Sequence, residues 1–456
     1  MRLLVGFTCI VMAVGCSDDS KVRHLPDAPP PPDADVDAST FGPVSLTILE
    51  GTTPQVGVLV IFQNADSTVV SETTTGTDGK ASAMMMPGGY VTAIDPFPNR
   101  PQGVATSDLR TFAGVKPGDQ LRLFESPIAS TSITVNVVLP IENNSTEYRV
   151  STNCSLYNAI STGGSGGQPM GSLQLFGCGP TSNLLVEALD ANLAPVSSIY
   201  KQNVALTDNG TIDLTADTYT AIPDVTFTYT NVPAGQSSIF VNGVRVTSLG
   251  KIYELNGTAT VDAGNASFTT KVPTISNATA VTATTFVGNI FTQHLVTEWG
   301  PAGSSYALDA TGLLLPNFES APALDIPTHS VTWTAGGGTS QSDFVLVTAF
   351  LNRSTPLQSW RWTIAAPGGT QAALPVLPAS STFNPIAGDF AGLDVRTGKV
   401  PGGYDAVRAN VLAVPALQEI AIGASGKASF TFFVEVGAIK PPGPTSALPG
   451  FTRRTR

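Results

Sequence analysis

Residues 44–51 read VSLTILEG, residues 56–64 read VGVLVIFQN, and residues 68–95 read TVVSETTTGTDGKASAMMMPGGYVTAID. These are mostly β-branched runs broken by turns at Asp78-Gly79 and Pro87-Gly88, and DQLRLFE at 119–125 adds one more. Several short strands at this spacing predict a β-sandwich. The composition agrees across the 456 residues: 12% are charged, and 44 Gly and 35 Pro interrupt the chain. Soluble helices need charged and straight-chain residues on their outer faces, so long helices are nearly excluded and an all-β chain is expected. The length corresponds to two to four domains, each large enough to bury a core.

Further strands follow. TSITVNVVLP (131–140), LLVEALD (184–190), SSIYKQNVAL (197–206), VTFTYTNV (225–232) and QSSIFVNGVRV (236–246) define a second sandwich over 129–250. Leu184 to Asp190 fits two helical turns equally well, because short apolar runs do not distinguish the two. ATVDA, ASFTTKV, AVTATTFV, SVTWTA, SDFVLVTAFL, SWRWTIAAP, DAVRANVLAV and ASFTFFVEV fill a third, larger sandwich over 251–440, or two smaller ones. Residues 441–456 end in Arg453, Arg454 and Arg456 with no periodicity and read as a frayed tail. One short motif recurs: Met86-Pro87-Gly88-Gly89, Val232-Pro233-Ala234-Gly235 and Val400-Pro401-Gly402-Gly403. Proline presets φ near −65° and glycine supplies the positive φ that returns the chain into a closing strand.

Val56-Gly57-Val58 opening a strand, Thr77-Asp78-Gly79-Lys80 at a hairpin and Met86-Pro87-Gly88-Gly89-Tyr90-Val91 entering the last strand together resemble the carboxypeptidase regulatory-like domain. The resemblance covers residues 41–128. It implies a small transthyretin-like or immunoglobulin-like sandwich with no catalysis of its own, of the kind appended to exported proteins.

The first residues speak to the address. Met1 and Arg2 precede an apolar run from Leu3 to Val14, the length of a signal-peptide core and about eight residues short of a bilayer span. The run closes on Ala13-Val14-Gly15-Cys16, which resembles the lipobox of bacterial lipoprotein precursors. The resemblance implies removal of residues 1–15, a diacylglyceryl group on the Cys16 sulfur and an acyl chain on its amine. Three chains hold a protein at a membrane where one exchanges, since each buried methylene adds about 0.8 kcal/mol. Residues 17–40, SDDSKVRHLPDAPPPPDADVDAST, carry six Asp and five Pro without apolar periodicity. That is the composition of a disordered stalk, and its likeness is to the Asp- and Pro-rich leaders of myxobacterial lipoproteins. In polyproline II residues 17–40 would reach roughly 70 Å. Ser17, rather than Asp, follows the cysteine, which by the enterobacterial sorting rule implies the outer membrane.

With Cys9 lost in the signal peptide and Cys16 lipidated, Cys154 and Cys178 remain, in a compartment where disulfides persist, and are expected to pair. The net charge of −11 and pI near 4.7 argue against nucleic acid, and no anionic partner is expected. Only three histidines occur, His24, His294 and His329, so neither a His-rich metal site nor a cofactor is expected.

Candidate chemistry is sparse. Gly163-Gly164-Ser165-Gly166-Gly167 satisfies G-x-S-x-G, but that pattern has meaning on a strand-to-helix turn with Asp and His following, and STGGSGGQ reads as a linker. His294 and Glu298 stand four apart, yet FTQHLVTEW alternates as a strand does. GASGKAS (423–429) resembles a phosphate loop without its spacing, and Asp208-Asn209-Gly210 resembles the start of a calcium loop without its later ligands; both read as turns. The four Trp, Trp299, Trp333, Trp360 and Trp362, all fall in the third unit. Trp360 and Trp362 are two apart and share one face of a strand. Facing inward they are core; facing outward, with Trp333, they form a platform for sugar rings. The expectation is therefore a non-catalytic, lipid-anchored cell-envelope protein that acts as a structural or partner-binding module through its loops. The alternatives are a carbohydrate binder using the Trp platform and, more remotely, a hydrolase using Ser165.

Overall fold

In a computed structural model the chain is described over residues 41–97, 107–125, 132–143, 145, 147–161, 167–409 and 424–434. The expected signal peptide, Cys16, the stalk, Ser165 and the 441–456 tail lie outside the described residues. The regular secondary structure described is strand apart from one short helix, as the composition predicts.

The first unit contributes β1 (Gly42–Glu50), β2 (Leu59–Gln63), β3 (Val69–Thr74), β4 (Lys80–Met85), β5 (Gly89–Ile94), β6 (Ser107–Val115) and β7 (Gln120–Glu125). In β1 the residues Val44, Leu46 and Ile48 are fully buried. β1 lies at the centre of a small sheet, antiparallel to β4 and parallel to β7. β2, β3, β5 and β6 form the opposing layer. The turn at Thr77–Lys80 is not a hairpin within one sheet: β3 pairs with β2 and β4 with β1, so it carries the chain from one layer to the other. Asp78 makes that corner by accepting the Lys80 backbone N–H through Oδ1 at 3.0 Å.

The second unit contributes β8 (Ser132–Val138), β9 (Glu147–Thr152), β10 (Ser155–Ser161), β11 (Met170–Phe176), β12 (Thr181–Leu189), β13 (Pro195–Ala205) and β14 (Gly210–Asp213). β10-β9-β12-β13 face β11-β8-β14 over a core of Val135, Val137, Tyr148, Val150, Leu173 and Val186. LLVEALD is therefore strand and not helix. The turn at Asp208-Asn209-Gly210 crosses between these two sheets, with Asn209 at φ 58°.

The rest contributes β15 (Asp224–Thr230), β16 (Ser238–Thr247), β17 (Gly250–Asp262), β18 (Asn265–Lys271), β19 (Thr279–Asn289), β20 (Thr292–Pro301), β21 (Ser305–Asp309), β22 (Phe344–Ser354), β23 (Leu357–Pro367), β24 (Phe390–Lys399), α1 (Gly403–Ala409) and β25 (Gly426–Phe433). These strands and those of the first unit's second layer form one continuous 15-stranded sheet, in the order β21-β15-β18-β17-β16-β19-β20-β25-β24-β22-β23-β6-β5-β2-β3.

Strand pairings span two of the expected boundaries. Position 250 falls inside the β16–β17 hairpin, whose strands pair from Ser238↔Thr260 to Thr247↔Gly250. Position 128 does not close off the first sandwich, because β6 pairs in parallel with β23 from Ser107↔Trp360 to Phe112↔Ala365. The cores merge as well: Val44, Phe62, Phe112 and Leu121 share a cluster with Phe344, Leu346, Tyr404 and Phe430.

The three Pro-Gly motifs behave alike at the turn. Gly88, Gly235 and Gly402 have φ of 89°, 89° and 81°, where a side chain would be strained. After the turn they diverge. The first two lead into β5 and β16, but the third leads into α1, so DAVRANVLAV begins as helix. Its buried side, Tyr404, Val407 and Arg408, follows the three-to-four spacing of a helix, and Asp405 in the first turn and Arg408 in the last oppose the helix dipole.

Both ends of the β6–β23 seam are bolted. At one end buried Asp108 takes a two-pronged bond from Arg361, Nε and Nη2 each at 2.9 Å, and a third from Arg110 Nε at 2.8 Å. At the other, the Tyr404 hydroxyl sits 2.8 Å from the Ala113 carbonyl and 2.7 Å from that of Ala365, and Arg408 donates to the Gly114 carbonyl at 2.9 Å and to Asp119 at 2.5 Å. Removing Asp108 strands the partly buried Arg361 guanidinium and leaves Arg110 with Glu125 alone, at 3.1 Å. Asp108→Ala is expected to destabilise the fold by about 3 kcal/mol, measured by denaturant unfolding; a loss no larger than that of Lys116→Ala, an exposed ion-pair control, would refute the bolt.

Candidate functional site

The tryptophans are core. Trp360 and Trp362 are fully buried and Trp333 is 7% exposed, so the sugar-platform reading of Trp333, Trp360 and Trp362 does not hold. β23 has both faces covered over this stretch. Trp360 and Trp362 point into a cluster with Leu109, Val347, Leu351 and Val395, while the intervening Arg361 reaches Asp108 on the other face. Trp362 Nε1 donates to Thr111 Oγ1 at 2.8 Å, Trp360 lies 5.1 Å beneath the Arg353 guanidinium, and Trp333 packs at 5.8 Å on Phe318. Arg353 itself clasps Asp389 by two bonds and the carbonyls of Thr382 and Asn384, fastening the 382–389 loop over the Trp360 ring.

His294 is likewise engaged, whereas the buried Nδ1 of His329 has no hydrogen-bond partner among the described residues. His294 is buried on β20 with Nδ1 3.0 Å from Thr431 Oγ1 and Nε2 2.7 Å from Asn317 Oδ1. Burial holds its pKa below the ordinary imidazole value, against the opposing effect of Asn317. Glu298 lies on the same strand and pairs with Lys427 at 3.4 Å. His329 sits in a turn at φ 49°, where burial also lowers its pKa. Among the described residues no three His, Cys, Asp or Glu gather as a metal would require. Lys427 of GASGKAS lies on β25, which begins at Gly426, rather than in a loop around a phosphate. Cys154 and Cys178 are bonded, with Cα atoms 5.3 Å apart, and pack on the second sandwich's core.

A polar seam was not anticipated. The outer face of β9, β10, β12 and β13 packs on β16, β17 and the 276–277 turn. Asn153 Nδ2 donates to the Gly250 carbonyl at 2.7 Å, Asn183 Nδ2 to Thr247 Oγ1 at 2.9 Å, and Gln202 Nε2 to Ser276 Oγ at 2.9 Å. The Glu254 backbone N–H donates to the Tyr157 hydroxyl at 2.7 Å. Within the seam Glu187 is 1% exposed and its Oε2 has no hydrogen-bond partner. Burial pushes its pKa up to about 7, and Arg149, opposite it on β9, counteracts only in part. The signal for this residue was present in the sequence as a charge set among the apolar residues of LLVEAL; Asp108 in SDLRTF and Arg361 in WRW are similar.

A shallow cleft between Tyr229, Thr282, Thr284, Glu298 and Tyr306 has room for about one water molecule. Buried Asp108, Arg353 and Arg408 are thus committed to carboxylate or guanidinium partners far along the chain, whereas Glu187 Oε2 has no such partner among the described residues and Arg245 bonds to the adjacent Val244 carbonyl against the Tyr306 ring.

No family model matches this sequence, and no curated protein matches it. Solved structures give loose matches. The chain is similar to the Bacillus anthracis TIE protein at 11% identity, covering 59% of this chain and half of that one, with a TM-score of 0.14. It is similar to a streptococcal ancillary pilin at 12% identity, covering 59% of this chain and 98% of that one, TM-score 0.14. It is also similar to a tetra-tandem repeat in the extending region of a large adhesion protein at 14% identity, covering 78% and 95%, TM-score 0.12. Superpositions this loose say nothing further about this chain.

Because the folded protein favours the neutral Glu187 carboxyl, its contribution is fully present below the ordinary carboxylate pKa and is lost as pH rises through about 7. The loss is on the order of 3 kcal/mol. Glu187→Gln, which keeps the shape without the proton, is expected to be more stable than the parent at pH 8 and nearly equal at pH 4.5. Parallel stability–pH curves for the two proteins would rule out a strained carboxyl.

Proposed function

We propose that this chain is a non-catalytic cell-envelope protein, tethered through a lipidated Cys16 and carrying its β-sandwiches on the 16–40 stalk as a structural and partner-binding module. The observation that carries the non-catalytic part is the use made of buried charge. Asp108 with Arg361, Arg353 with Asp389 and Arg408 with Asp119 each join segments distant in sequence. Groups so engaged are not free to exchange protons or attack a substrate. They make a stiff frame, and stiff frames present their recognition surfaces on connections between strands or on open sheet faces.

The tether rests on the Ala13-Val14-Gly15-Cys16 resemblance and on the acidic, proline-rich residues after it, and Ser17 supports the outer membrane as the address. The partner-binding half invokes protein or glycan at the sandwiches and no nucleic acid, in line with the charge of −11.

Cells fed a palmitate analogue are expected to label the parent protein and not Cys16→Ser, which should leave the membrane fraction. Equal labelling of both, or a parent protein recovered unacylated, would remove the tether.

A further inference from the structure

In a chain with 34 acidic and 23 basic residues, cations are readily neutralised, and nearly all described ones are. Lys116, Lys201, Lys251, Lys271 and Lys427 pair with carboxylates, as do five arginines. Arg149 and Arg245 bond to carbonyls and Lys399 to Ser340. Among the described residues Lys80 and Arg122 alone have no partner for their cationic heads.

These two are 42 positions apart in sequence and occupy one row of one sheet. Lys80 on β4 is opposite Thr47 on β1, and Thr47 is in turn opposite Arg122 on β7. Register partners point to the same side, and the burial pattern gives that side: Lys80 and Arg122 are exposed while Ala81, Leu46 and Leu121 beside them are buried. Two strand spacings separate the cations by roughly 10 Å at the backbone. The next row carries Ser82 and Gln120, both exposed, and two residues beyond Arg122 on the same face is Phe124, 38% exposed. None of the outward positions of β1, β4 and β7 is a carboxylate.

We propose that this face binds an acidic polysaccharide, a polymer of sugar rings bearing carboxylate or sulfate groups. Arg122 takes an anionic group with its planar fork and Lys80 takes another as a point charge. Thr47, Ser82 and Gln120 hydrogen-bond the ring hydroxyls between the charges, and the Phe124 ring receives the apolar face of a sugar. The side-by-side register of β4, β1 and β7 sets these groups in a row that suits an extended polymer lying across the strands. The overall negative charge, which disfavours anions at long range, is screened over about 8–10 Å at physiological salt, so a local pair of cations still acts. This names a ligand for the binding half of the proposed function and does not depend on the lipid tether.

The test uses the soluble full-length mature protein with polygalacturonate and dextran sulfate as probes, and unmodified dextran and polyglutamate as controls, read by titration calorimetry. At least one acidic polysaccharide is expected to bind, more weakly as salt rises, while neither control does. The double variant Lys80→Ala/Arg122→Ala is expected to lose about tenfold or more in affinity, with an unchanged melting temperature because both side chains are exposed. No binding to either acidic polysaccharide, equal binding by the variant, or equal binding of dextran would overturn the proposal. Polyglutamate bound as tightly as the polysaccharides would make the ligand an acidic peptide and overturn it too. Palmitate labelling at Cys16 is read separately, so failure here leaves the tether standing.

Discussion

The parallel pairing of β6 with β23 is the constraint on which the rest of the described structure depends. It joins a strand near residue 110 to one near residue 362, and closing a loop of that length is entropically costly before any contact rewards it. The ladder alone is short. It is held by Asp108 and its two arginines at one end and by Tyr404 and Arg408 at the other. The hydrophobic cluster shared by the first unit and the C-terminal strands then becomes a single core rather than two facing surfaces. α1 has its role here: seven residues of helix in an all-β chain place one phenol and one guanidinium at the seam's open end.

The second sandwich is attached on different terms. Its own core is apolar and self-contained, but its outer face meets the large sheet through amides, hydroxyls and a buried carboxyl, with Leu185 as its main apolar insertion. Polar interfaces of this kind are specific in register and modest in net energy. One junction in the molecule is therefore bolted by charge and core, and the other is fitted by hydrogen bonds.

Much of the strand content was legible in the sequence because periodicity and turn chemistry are local. The three Pro-Gly motifs show this well, with the same positive φ at each. What was not legible is pairing across distance. Nothing in SDLRTFAGV says that its neighbour lies some 250 residues on, so the sheet runs past position 128 unannounced, while position 250 falls in the turn of a local hairpin. The tryptophans illustrate a second limit. A shared face for Trp360 and Trp362 follows from spacing, but which way it points depends on whether another layer covers it. Lys80 and Arg122 illustrate a third, since two unremarkable cations become neighbours only through the register of a strand that lies between them.

The position of β1 bears on how the molecule meets force. The first described strand of the fold is an inner one, pairing with β4 over Gly42–Thr47 and with β7 over Ser45–Glu50. Traction transmitted from a membrane tether would load those two ladders in shear, so that their bonds yield together and not one after another. A protein hung from its amino end gains most from placing its opening strand inside the sheet, and an edge strand there would peel.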